Sequence, residues 1–93
     1  MDKKTLMIFA QRIFRSSSQE KAIISLRQLK KLLEEPGTDK NNLDLLDQMM
    51  ESAPEMKAIS GRILLTEEDV AIAVRRANER KAREAMATRF GRC

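Results

Sequence analysis

The sequence predicts an all-α fold, a small bundle of four main helices plus one short helix, with the last helix extending beyond the core. Three observations predict it. Apolar residues recur at three- and four-residue spacing in four separate segments, as one buried helix face requires. Ninety-three residues suffice for one thin core. That core must be aliphatic, because Phe9, Phe14 and Phe90 are the only aromatic residues and six Met join Leu and Ile in filling the volume.

The first helix is expected from near Lys3 to about Arg15, with Leu6, Phe9, Ala10 and Ile13 on its buried stripe. Residues 1–18 also combine basic charge, amphipathic spacing and serines, as mitochondrial transit segments do; the first core helix is the favoured reading. Ser17 and Glu20 have the spacing of a capping box at the start of the second helix. Its stripe is Ala22, Leu26, Leu29 and Leu33, widened by Ile23 and Leu32, and Pro36-Gly37 ends it. Thr38 or Asp39 then caps a third helix that buries Leu43, Leu46, Met50 and Ala53, flanked by Leu45 and Met49.

In "SAPE", Ser52 as cap, Pro54 and Glu55 mark a fresh helical start, and Gly61 is expected to close that short helix in a left-handed conformation. Residues 62–65, "RILL", read as an extended linker covering the core, since a lone strand has no partner in the chain. Thr66 opens the last helix, with Glu67, Glu68 and Asp69 in its first turn where negative charge complements the helix dipole. Its stripe is Val70, Ala73, Val74 and Ala77; continuing that face reaches Lys81 and Glu84, so the core contact is expected to end near Ala77. Residues 1–77 therefore read as a helical core and 78–93 as a basic helical extension of the same domain.

Charge is divided into blocks. Residues 1–33 hold eight cations and two acids, residues 34–55 one cation and seven acids, and residues 75–93 seven cations and two acids, beneath a net charge of only +4. Such blocks are ordinarily solvated helix faces, and they can also steer a partner of opposite charge.

Several chemistries lack their residues. The chain has no His, its single Cys93 is the last residue, and three glycines cannot form a phosphate-cradling loop. Glu34/Glu35 and Glu67/Glu68/Asp69 are accounted for by helix ends. No catalytic activity, cofactor or metal is expected. A lone terminal cysteine has no intrachain disulfide partner and fits a cytoplasmic or other reducing intracellular compartment. No secretory signal or transmembrane segment is read, and a membrane-surface role is not expected.

Function is thus sought in binding, on the last helix. Arg76, Arg80 and Arg83 share one face, where guanidinium forks can grip phosphate or an acidic partner. Ala82, Ala85 and Met86, with Ala71, form a seam on another side that can admit a partner helix. The leading expectation is an adaptor or regulator that binds another protein or a second copy of itself. The alternative is DNA or RNA, held by backbone contacts from the basic N- and C-terminal helices. Glu79 and Glu84 interrupt the arginine face, and no interleaved aromatic residue offers a base-stacking platform.

Residues 62–76, "RILLTEEDVAIAVRR", resemble the closing strand-and-helix segment of histone-fold proteins, where a short strand precedes a Thr/Glu/Asp-capped helix ending in arginines. The resemblance covers 15 of 93 residues. Pro54 and Gly61 fall where the long central helix of that fold should run, so no residue role is carried over.

Overall fold

A computed structural model describes residues 2–35, 37 and 39–90, with side chains described to Met86. Five helices follow in order: α1 (Lys3–Ser16), α2 (Gln19–Glu34), α3 (Lys40–Glu51), α4 (Ala53–Ile59) and α5 (Glu67–Phe90). No strand occurs among the described residues, and the fold is the predicted all-α bundle. α2 packs on α1, α3 and α4, while α5 lies against α3 and α4. Phe14, Leu6, Leu26, Leu46, Met49, Met56 and Val70 are its largest fully buried apolar side chains.

Asp2 caps α1 by accepting the Thr5 amide N–H at 2.8 Å. The helix is rotated from the expected stripe: it buries Leu6, Met7, Ala10, Gln11 and Phe14, leaving Phe9 46% exposed and Ile13 partly buried. Both stripes share Leu6 and Ala10, and Gln11 decides between them. Its side-chain amide donates to the carbonyls of Ser60, at 3.2 Å, and Arg62, and its carbonyl accepts the Leu65 N–H at 3.3 Å. Three backbone groups of the linker are satisfied by one side chain, which must therefore face inward. Arg15, one turn on, donates to the same two carbonyls.

The serine run is divided differently from expectation. Ser18, not Ser17, caps α2 by accepting the Lys21 N–H. Ser17 instead terminates α1: its N–H donates to Ile13, and Lys57 Nζ donates to the carbonyls of Phe14 and Ser17 at 2.9 and 2.8 Å. A cation at a helix C-terminus satisfies orphan carbonyls and complements the dipole. On α2, Ala22 and Leu26 are buried with Ile23, Leu29 and Leu33 packed beside them, but Leu32 is 70% exposed and does not widen the buried face.

Among the described residues the left-handed glycine is Gly37, at φ 75°, three residues past the end of α2; Gly61 does not adopt that conformation. α4 closes instead on Ser60, a right-handed residue whose N–H and hydroxyl both reach the Lys57 carbonyl. Asp39 caps α3, and Thr38 lies outside the described residues. α3 buries Asn42, Leu45, Leu46 and Met49, whereas Leu43 and Met50 of the expected stripe are only partly buried. Pro54 lacks an N–H and its ring would meet the carbonyl four residues back, so α3 cannot run into α4. Ser52 makes the break at φ −104° and ψ 27°, and its hydroxyl donates back to Gln48 rather than capping α4.

Residues 62–64 form bends rather than the extended segment expected, and only Leu65 of the four covers the core. Thr66 and Asp69 then cap α5 reciprocally, each side chain accepting the other's backbone N–H. Val70, Ala73 and Ala77 are buried and Val74 packs beside them, as the spacing predicts. After Ala77 every described side chain is exposed apart from the partly exposed Arg80. The radius of gyration, 14.4 Å, exceeds the value of about 12 Å usual for this length, and the 50 Å long extent accommodates a helix of 24 residues.

Two substitutions test this packing by urea unfolding. Phe14→Ala should cost about 3–5 kcal/mol, as deletion of a fully buried ring does, whereas Leu32→Ala should change stability by less than about 0.5 kcal/mol. For the linker, Gln11→Leu should leave the Leu65 N–H without its acceptor and speed that amide's hydrogen exchange relative to the helix cores.

Candidate functional site

The candidate surface is the outer part of α5. Its first turn is fixed by the Thr66–Asp69 cap, reinforced by the Arg62–Asp69 ion pair and by Lys3 Nζ at 2.9 Å from Glu67. The Asp69 carboxyl is held below its ordinary range, chiefly by the Thr66 backbone N–H, then by the Thr66 hydroxyl and by Arg62, against the opposing effect of burial. The starting angle and the short side chains Ala73 and Ala77 place α5 against α3 and α4.

Arg80 lies beside that packed face. Its Nε and Nη2 donate to the two carboxylate oxygens of Glu55 at 2.8 and 3.2 Å, a fork-to-fork pair joining α5 to α4. Glu84 approaches Arg80 Nη1 at 3.4 Å, and Lys81 lies 4.0 Å from Glu51. The Glu55 side chain is only 14% exposed, so water screens this pair less than an ordinary surface bridge. Hydrogen bonding from Arg80 is the main cause holding the Glu55 carboxyl below its ordinary value near 4.5, against the opposing effect of burial. α5 is thus fastened to the body one turn past its last buried contact.

Arg76 and Arg83 are exposed and form no ion pair among the described residues. Together with Arg80, Glu55, Glu79 and Glu84 they line an open groove along α4 and α5. The three arginines are therefore together but not equivalent: Arg76 and Arg83 flank Arg80, whose guanidinium is occupied from within. Ala82, Ala85 and Met86 are all exposed, with Met86 58% accessible, and Ala71 is exposed on the same helix near its start. Cys93 lies outside the described residues.

The acidic block is likewise drawn partly inward. Asp47 on α3 accepts from Lys30 of α2 at 2.8 and 3.0 Å, so α2 supplies a cation to α3 as α5 supplies cations to Glu51 of α3 and Glu55 of α4. Among the described residues no three acidic, Cys or His side chains come together as a metal-holding cluster, and no helix is long and apolar enough to cross a membrane. No family model matches the chain, and no curated protein and no solved structure matches it.

The Glu55–Arg80 pair carries a pH signature. A carboxyl whose folded pKa is depressed stabilises the fold fully above its unfolded value and loses that contribution as pH falls through the folded one. Thermal unfolding followed from about pH 6 down to about pH 3 should show stability falling below the ordinary Glu value near 4.5. Arg80→Ala should lower stability at neutral pH and flatten this acid-side fall, since Glu55 then titrates nearer its unfolded value.

Proposed function

We propose that this chain is a non-enzymatic binding protein, an adaptor or regulator that engages another protein through the outer part of α5. One observation carries the reading: α5 continues to Phe90, Ala77 is the last buried residue among its described side chains, and the helix presents two unlike exposed sides. One side offers Arg76 and Arg83 to acidic groups; the other offers Ala82, Ala85 and Met86 to a closely packed apolar helix. A helix that runs on without core contact gains its stability from capping and propensity, and a partner's surface supplies the packing it lacks.

A protein partner accounts for these features better than a nucleic-acid backbone. A phosphate backbone would engage Arg76 and Arg83 alone and leave the exposed Ala82, Ala85 and Met86 uncovered. An acidic and apolar helix satisfies both sides at once.

The test uses affinity capture from the native host with paired variants of the full chain. Arg76→Glu with Arg83→Glu, and separately Ala82→Glu with Ala85→Glu, should each reduce recovery of a protein partner about tenfold or more, as loss of central interface contacts does. Their unfolding midpoints should stay close to the parent's, because all four positions are exposed. DNA or RNA binding that weakens steeply between about 50 and 200 mM salt, and is lost in the arginine variant, replaces the protein reading with the nucleic-acid one.

A further inference from the structure

Four of the seven large apolar side chains exposed among the described residues belong to α1 and α2: Ile8, Phe9, Ile24 and Leu32. Their places follow from helix geometry. Ile8 lies midway between the buried Leu6 and Ala10, and Arg12 midway between Ala10 and Phe14, which sets both on the outward side of α1. Ile24 lies midway between the buried Ala22 and Leu26, and Arg27 and Lys31 repeat its outward side three and seven residues on. The two helices are joined by Ser17 and Ser18 alone and pack on each other, so their outward sides adjoin.

This surface also holds cations that nothing in the chain neutralises. Of the eight in residues 1–33, Lys3 pairs with Glu67, Lys30 with Asp47 and Glu34, and Arg15 donates to the Ser60 and Arg62 carbonyls. Lys4, Arg12, Lys21, Arg27 and Lys31 remain, all exposed and without an ion pair among the described residues. Asp2 is engaged as the cap of α1 and Glu34 lies against Lys30. Glu20 and Glu35, at the two ends of α2, are the acids left to oppose these five cations.

We propose that the outward side of α1 and α2 lies against an anionic lipid bilayer, with Ile8, Phe9, Ile24 and Leu32 at the boundary between headgroups and acyl chains and the five cations at lipid phosphates. Charge and the arrangement of apolar residues select this occupant. An anionic leaflet is complementary to the excess of unpaired cations. The apolar side chains are dispersed among those cations, whereas a protein interface gathers them into a central patch with a polar rim. Lipids rearrange around each side chain, and Lys and Arg stems follow the apolar boundary while their charged ends reach the phosphates. A nucleic-acid backbone would take the cations and leave four apolar side chains uncovered. A second copy has few acids to offer, because Asp47, Glu51, Glu55, Glu67 and Asp69 are paired within their own chain. No residue of α5 takes part, so this contact is separate from the one at Arg76 and Arg83.

Co-sedimentation of the full chain with phosphatidylcholine vesicles, made with and without phosphatidylserine, tests the proposal. Binding is expected to vesicles that contain phosphatidylserine and to fall as salt rises from about 50 to about 500 mM. Arg12→Glu with Lys31→Glu should weaken it about tenfold or more, and so should Ile24→Ser with Leu32→Ser. Both variants should unfold near the parent's midpoint, since all four side chains are exposed. The chain has no Trp, so Phe9→Trp supplies a single reporter whose emission should move to shorter wavelength on binding. Absence of binding to phosphatidylserine vesicles at low salt overturns the proposal. So does binding that the Ile24→Ser, Leu32→Ser variant retains in full, or that is lost in Arg76→Glu with Arg83→Glu and kept in Arg12→Glu with Lys31→Glu. DNA or RNA binding that disappears in Arg12→Glu with Lys31→Glu, from a chain that leaves vesicles unbound, also overturns it and assigns the face to nucleic acid.

Discussion

The side-chain amide of Gln11 positions everything that follows residue 60. It is buried, it bridges α1 to backbone groups on both sides of the bend, and no apolar residue could replace it without orphaning the Leu65 N–H. Because the bend is held there, Leu65 turns inward, Ile63 turns outward, and Thr66 is delivered where α5 begins. The direction of α5 then decides which arginines point away from the body. A polar residue on the first helix thus governs the orientation of the last one across about fifty residues of sequence.

The core tolerates this arrangement because it contains little that resists adjustment. Met7, Met49 and Met56 are buried among leucines, and methionine fills irregular gaps through its flexible thioether chain. Ala22, Ala53, Ala73 and Ala77 let helices approach where larger residues would hold them apart. Among the described residues no buried side-chain nitrogen or oxygen lacks a hydrogen-bond partner, so the polar contacts that set helix directions do so without a desolvation penalty left open. Ion pairs then link the periphery: Lys30 with Asp47, Arg80 with Glu55, Lys3 with Glu67.

Helix number, the break at Ser52–Pro54 and the stripe of α5 were legible because they rest on local rules, namely spacing, capping and the missing N–H of proline. The rotation of α1 was not, because the residue that decides it is polar and finds its partners 49 to 54 positions away. The same distance problem hid the division of the serine run, since Lys57 claims the carbonyl of Ser17 from another helix. In the candidate site, spacing places Arg76, Arg80 and Arg83 on one face and cannot tell that Glu55 singles out the middle one. Four consecutive residues, "RILL", gave no sign of which apolar side chain would face water, because that choice belongs to Gln11.

The charge layout of α5 has a consequence for how anything reaches it. The backbone places roughly half a positive charge at the start of a helix and half a negative charge at its end. The side chains run the other way, with Glu67, Glu68 and Asp69 at the start and Arg75, Arg76, Arg80, Lys81 and Arg83 in the later turns. Lys3 and Arg62 at the start, and Glu79, Glu84, Glu51 and Glu55 in and beside the later turns, neutralise most of these, yet one unit charge of each sign remains against two fractional ones. The side-chain moment therefore outweighs the peptide moment. An anion that approaches along α5 is therefore repelled at the start of the helix and attracted at its later turns.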